Sequence, residues 1–389
     1  MGAEIFPRIK TLALFQKRVE GDNALLELAR LRFREAGLGA EFYAETRSEL
    51  DHLLRFRPDE NPVALHLPRG MNLFDDQVRT EITSLARDLR EVLFGIIVHD
   101  QAEVPERFEN CLSALAGLDH ELGRSPGGPM LFVEYAVGLD PEVFTEIFRR
   151  CRDLGNVSAC IDIGHLVMSQ ARRLYGQRDP HRDIFSFTPD DPQLPARIAE
   201  IQDSLSNALE EVLAVVRGLS GLGKPLHYHL HDGHPLSTAS PFGVPDHLSF
   251  LGVLRLPFEH EGSRDLPLTF GPRGLARVLA ESLRNPSSVS FSLEIHPTGE
   301  RKPLADALGL FRHWADTSNA EKMNHWLTVL AENHRLLCDT LRTLTDSSRV
   351  FTIECGTSWN EGCEPVSNTQ CTGNPQEAAE EAEDSHKNQ

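Results

Sequence analysis

The chain has 389 residues, 40% of them hydrophobic, and a formal net charge of −19. That is enough apolar material for one large core. The negative balance, with no clustered Lys and Arg, argues against a nucleic-acid or anionic-membrane partner, although a bound divalent cluster could make one pocket locally positive. Seven Cys and a start, MGAEIFPRIK, without an apolar run after a basic one argue against secretion and a disulfide framework, so a cytoplasmic protein with reduced thiols is expected.

No apolar run reaches the length of about 18 residues that a spanning helix needs. Short apolar runs alternate with amphipathic stretches until about Pro297, the pattern of βα units around a parallel sheet. In chain order the expected strands are residues 10–15, 39–44, 62–67, 94–99, 130–135, 158–163, 225–231 and 289–295. Helical patterns lie between them, among them 23–36, 76–89, 141–154, 195–219 and 274–283.

Eight such strands suggest closure into a (β/α)8 TIM barrel, an α/β fold that takes about 250 residues or more as one domain. An open doubly wound sheet is the competitor, but no GxGxxG turn follows the first strand. Residues 1–300 are therefore assigned to the barrel. The connections 166–194 and 233–272 are long for βα units and are expected as loops above the strand ends. The first carries Arg172, Arg173, Arg178 and Arg182.

Residues 301–346 are expected as a helical extension. Its apolar stripe of Met323, Trp326, Leu327, Leu330, Leu337, Leu341 and Leu344 would pack on the barrel or on a second subunit, which admits a homo-oligomer. Residues 347–389 are polar, with EAAEEAED near their end, and are expected to be disordered. Cys355, Cys363 and Cys371 fall there without the paired spacing of a zinc site.

Chemistry gathers at the strand ends. Side chains alternate between faces, so each barrel strand has an inward and an outward row. In VSFSLEIHP, Val289, Phe291, Leu293 and Ile295 face outward, and Ser290, Ser292 and Glu294 inward. The same alternation selects His66 in VALHLP, His99 at the end of FGIIVHD, Glu134 in MLFVEY and Asp162 in ACIDIGH, with His165 at the following turn. In PLHYHLHD, His227, His229 and His231 share a row, and Asp232 lies just beyond. Burying so many ionisable groups in one mouth is costly unless they bind cations. A mixed His and carboxylate set suits Zn, Mn or Fe better than Ca or Mg.

The runs FVEY, CIDIGH, HLHD and SLEIHP resemble the xylose isomerase-like superfamily of sugar isomerases, epimerases and endonuclease IV-type enzymes, over roughly residues 10–297. The resemblance implies a (β/α)8 barrel with metal held by Glu134, Asp162, His229 and Glu294. Its endonuclease IV-type branch implies further ligands at His66, His99 and His165, and a last pair at Asp246 and His247. That pair departs from the family pattern in being adjacent. One to three divalent ions per chain follow.

On this reading Glu134, Glu294 and Asp162 are the catalytic carboxylates. His231, Asp232 and Arg273 are the substrate contacts, and Gly271, Arg273 and Gly274 either present a phosphate site or form an ordinary turn into a helix. A multinuclear site would hydrolyse a phosphoester of a small phosphorylated or sugar-like substrate. A single-metal site would isomerise a sugar by proton transfer between Glu134 and Glu294. An iron-dependent oxidation and a non-catalytic binding module are the other readings. The substrate is expected to be a small molecule.

Overall fold

The computed structural model describes residues 9–15, 22–124, 127–187, 191–237, 247–258, 262–295 and 318–348. Eight parallel strands close into a barrel in the order β1 (Ile9–Phe15), β2 (Gly39–Tyr43), β3 (Val63–His66), β4 (Gly95–His99), β5 (Met130–Glu134), β6 (Val157–Asp162), β7 (Leu226–Leu230) and β10 (Val289–Leu293), with β10 returning to β1. Each expected strand is present, shifted by no more than a few residues at its ends. Alternation is the cause: Ile96 and Val98 lie in the outer core, while Ile97 points into the barrel.

Beneath the strand ends the barrel is filled by a buried apolar layer of Leu12, Ala64, Ile97, Phe132 and Cys160. Gly95 makes room for it, because a Cβ at that position would stand 2.7 Å from Phe132 Cε2. The ionisable inward residues described below lie above this layer, at the carboxyl ends of the strands. That is the face where barrels carry their chemistry.

The helices follow the strands as α1 (Asn23–Glu35), α2 (Arg47–Leu53), α3 (Asp76–Asp88), α4 (Phe108–Gly123), α5 (Pro141–Arg150), α6 (Ile163–Arg178), α7 (Leu194–Ser220), α8 (Gly271–Ser282) and α9 (Asn319–Ser348). Several starts are written locally: Asp22, Thr46, Asp75 and Asp140 each accept an N–H of the first turn, and Pro141 occupies the first turn of α5. Among the described residues, no helix is long and apolar enough to cross a membrane.

Both long connections differ from the expected loops. Residues 163–178 are α6, which buries Leu166, Val167, Ala171 and Tyr175 on the barrel. Its arginines face carboxylates: Arg172 pairs with Asp183, Arg173 with Glu211, Arg178 with Asp203, and Arg182 beyond it with Asp191. The second connection contains an antiparallel hairpin, β8 (Val253–Phe258) and β9 (Gly262–Pro267).

The apolar stripe near the C-terminus belongs to α9, which packs between α1 and α8 and completes the ring of helices. Met323, Trp326, Leu330, Leu337 and Leu341 are buried in the same core as β1 and β10. Trp326 lies 6.0 Å from Phe33 and donates its indole N–H to the Ile295 carbonyl at 3.1 Å. Expectations for residues 301–317 and for the tail with Cys355, Cys363 and Cys371 fall outside the described residues.

Candidate metal centre

The strands deliver four buried carboxylates into the barrel mouth: Glu41 from β2, Glu134 from β5, Asp162 from β6 and Glu294 just past β10. Histidine rings surround them. Glu134 divides its two oxygens between two groups. Oε2 lies 2.6 Å from His66 Nε2 and 3.4 Å from His99 Nε2; Oε1 lies 3.4 Å from His229 Nδ1 and 3.7 Å from His165 Nδ1.

Asp162 has two tasks set by its place in the chain. It ends β6 and is the N-cap of α6, so Oδ1 accepts the His165 N–H at 2.6 Å. Oδ2 faces His165 Nδ1 at 3.4 Å and His229 Nδ1 at 3.9 Å, and both oxygens lie within 3.2 Å of His231 Nε2. Glu294 accepts the Tyr43 hydroxyl on Oε1 at 2.6 Å and presents Oε2 to His229 Nδ1 at 3.2 Å.

His247 is carried over the mouth by a backbone bridge between Asp232 and Leu248, both bonds 2.8 Å. Its φ of 53° lies in the sparsely populated left-handed region. Its ring stacks on His231 at 4.2 Å, and Nε2 stands 3.7 Å from Glu294 Oε1. Asp246, its expected companion ligand, is outside the described residues.

Potential ligand atoms within 4.8 Å of one another fall into overlapping groups. They are His66, His99 and Glu134; Glu134, Asp162, His229 and Glu294; His165, His231 and His247; Glu41, His66 and His229; and Cys160, His227 and His229. The first three use the residues expected from the sequence, with His231 among ligand-type groups instead of only facing a substrate.

The donor set fits cations on two grounds. His99 Nδ1, both ring nitrogens of His165, His229 Nδ1 and Glu294 Oε2 are buried without a hydrogen-bond partner, which is costly unless a cation satisfies them. The field is also strongly negative. Burial disfavours the charged His229 ring, yet the carboxylates of Glu41, Glu134 and Glu294 hold its pKa well above the ordinary value. His66 is likewise raised: burial opposes its charge, and Glu134 outweighs the burial. His99, where burial wins, is lowered to about 4 and keeps a free lone pair at neutral pH. These clusters could hold a metal.

Asp232 is fully buried, and it receives N–H groups from Gly233 and Phe270 on Oδ1 and from Gly271 on Oδ2, at 2.7–3.0 Å. Burial raises it to about 6, against the pull of those donors. Its carboxylate therefore meets the backbone at the start of α8, where the sequence suggested a phosphate. The helix begins at Gly271 instead of Gly274, and Arg273 in its first turn is exposed.

Three further inward residues belong to the site: His227, which the sequence placed in the row of His229 without a role, and Glu41 and Tyr43, which it did not single out. In GAEFY, Glu41 and Tyr43 alternate with Ala40 and Phe42, so the rule that found Glu134 would also have found them. Tyr43 stacks on His66 at 4.1 Å besides holding Glu294.

No protein-family model matches the chain, and no curated protein matches it by sequence. Among solved structures it is similar to a complete multifunctional pyruvate carboxylase from Rhizobium etli, at 9% identity and a TM-score of 0.37, covering 87% of this chain and 28% of that one. It is also similar to the carboxyl transferase domain of the Rhizobium etli enzyme, at 10% identity and a TM-score of 0.35, covering 88% of this chain and 49% of that one. The chain thus spans less than half the length of these structures. At such identity and TM-score no residue role is carried over from them.

Proposed function

We propose that this chain is a cytoplasmic, divalent-metal-dependent enzyme of the xylose isomerase-like superfamily that holds more than one ion and hydrolyses a phosphoester of a small phosphorylated or sugar-like substrate. The observation that carries the reading is the division of Glu134, one oxygen toward His66 and His99 and the other toward His229 and His165. A carboxylate so placed bridges two cation positions. Zn, Mn or Fe suits the mixed nitrogen and oxygen donors.

His66, His99 and Glu134 would hold one ion, and Glu134, Asp162, His229 and Glu294 a second. His165, His231 and His247 offer a third position. Ions bound there would supply an acidified water as nucleophile and would neutralise charge on the phosphoryl oxygens. Asp162 or Glu294, the latter fixed by Tyr43 through Oε1, would orient that water and take up its proton. Asp162 keeps His231 and His165 turned to the mouth. Arg172, Arg173, Arg178 and Arg182 are paired with carboxylates, which favours a small substrate over a nucleic-acid strand. The free thiols of Cys111, Cys151, Cys160 and Cys338 fit a reducing compartment.

The test is metal content of protein purified without chelator, together with hydrolysis of a panel of phosphomonoesters and phosphodiesters. Two or three ions per chain and turnover of one panel member are expected. A combined His66→Ala and His99→Ala variant with unchanged metal content sinks the multinuclear reading. The tight quartet of Glu134, Asp162, His229 and Glu294 favours a second reading, a one-ion sugar isomerase. One ion per chain, with solvent deuterium entering a ketose, would establish it instead.

A further inference from the structure

Glu41 lies on the opposite side of His229 from the carboxylates that would share its metal. It is 1% exposed. Its Oε1 approaches His229 Nε2 at 3.0 Å, and its Oε2 approaches His227 Nε2 at 3.1 Å. The His229 contact is close without meeting the geometry of a directed hydrogen bond, and neither atom makes one elsewhere. His227 Nδ1 in turn lies 2.7 Å from Ser290 Oγ.

Counting protons gives this row a direction. The Ser290 hydroxyl can donate to His227 Nδ1 at 2.7 Å or to the Leu226 carbonyl at 3.3 Å, and the shorter bond is the better one. A neutral His227 that accepts at Nδ1 carries its proton on Nε2 and donates it to Glu41. One oxygen of Glu41 is then turned and fixed by His227. The other is left for the Nε2–H of His229. With that nitrogen committed, Nδ1 carries the lone pair, and it is Nδ1 that faces Glu134, Asp162 and Glu294 at 3.2–3.9 Å.

We infer that Glu41 is a positioning residue, anchored through His227 and Ser290, which takes the Nε2–H of His229 and so aims Nδ1 at the metal position. A carboxylate in this relation to a ligand histidine fixes its tautomer and ring plane and strengthens its basicity. The inference rests on the reading of His229 as a ligand. A competing geometry exists, since Glu41, His66 and His229 also have ligand atoms within 4.8 Å of one another. An ion there would bind Nε2, so the coordinating nitrogen decides between the two.

The experiment uses the full chain loaded with Zn2+, labelled with 15N at histidine, and compares wild type, Glu41→Gln and His229→Ala. Spectra assigned by loss of the His229 signals should show Nδ1 coordinated and Nε2 protonated in the wild type. Competition with a chelator should show Glu41→Gln holding one ion about 10- to 100-fold more weakly, with the remaining ions unaffected. Coordination through Nε2 overturns the inference. So does wild-type affinity in Glu41→Gln when His229→Ala has lost an ion. Should Glu41→Gln not fold, the wild-type coordinating nitrogen still decides. If His229→Ala binds as many ions as wild type, the metal reading of His229 fails first, which is distinguishable from failure of Glu41 alone.

Discussion

His66 Nε2 and Glu134 Oε2 face each other at 2.6 Å, while the other nitrogen of the same ring, Nδ1, lies 2.9 Å from the Leu67 carbonyl. A neutral His66 spends its one proton on that carbonyl, which leaves a lone pair directed at a carboxylate. Only a positive charge between them, a proton or a cation, makes the contact favourable. On the multinuclear reading, His66→Ala should lower metal content by one ion per chain, and Glu134→Ala should lower it by two. Elemental analysis of the purified variants reads both numbers. Equal losses would mean that Glu134 does not bridge.

Gly164 is the second residue of α6, and a methyl built on it would collide with the Cε1 edge of the His231 ring. Since His231 Nε2 is held against Asp162 and its ring is stacked on His247, the ring has little freedom to retreat. Gly164→Ala should therefore disrupt the group of His165, His231 and His247 while leaving His66 and His99 in place. Loss of a single ion, with the fold retained by circular dichroism, is the expected outcome.

Tyr43→Phe removes the hydroxyl that donates to Glu294 at 2.6 Å. Glu294 then has both oxygens buried without a donor, a loss of about 1–3 kcal/mol for a bond to a charged group. Metal-stripped protein should lose stability on that scale in urea unfolding. Added Zn2+ should recover part of it by satisfying the carboxylate. No recovery would show that Glu294 is not a ligand.

His234 gives a pH signature separate from the candidate metal centre. It is fully buried, and burial lowers its pKa to about 3 from the ordinary 6.5. The unfolded chain therefore binds a proton between pH 6.5 and 3 that the folded chain refuses. The stability from this group is fully present above pH 6.5 and is lost as pH falls toward 3. Between pH 7 and pH 5 the loss should be about 2 kcal/mol. His234→Asn should flatten the denaturation midpoint by that amount relative to wild type over the same interval.

Trp326 on α9 is 2% exposed, packs against Phe33 and bonds to Ile295. Trp326→Ala should cost about 3–5 kcal/mol, since it opens a cavity and orphans a carbonyl. Removal of residues 318–348 should prevent folding of the barrel, because it strips the cover from β1, β10 and α1. A stable, metal-binding barrel after that truncation would show α9 to be dispensable.

Particular residues show how far sequence reading reaches. Strands such as Gly95–His99 and Val289–Leu293 were legible because period-two alternation is a local property of the chain. The same alternation exposed Glu134, Asp162, His229 and Glu294 as inward residues near strand ends. Residues 163–178 looked like a loop because their arginines hide a narrow apolar stripe, and the carboxylates that pair those arginines come mostly from elsewhere. Alternation marks Glu41 as inward, but its role is not local: His227 and His229 are its neighbours only across the closed barrel.

The ligand-bearing strand ends that opened the reading were thus determined by the order of residues along each strand. Closure of β1 on β10, and with it the meeting of β2 with β7 across the interior, was decided only in three dimensions. Pairing of side chains from distant strands carries no signature in either strand by itself. For that reason the sequence could name candidate ligands, whereas the division of Glu134 between two groups and the direction of the His229 ring belong to the folded barrel.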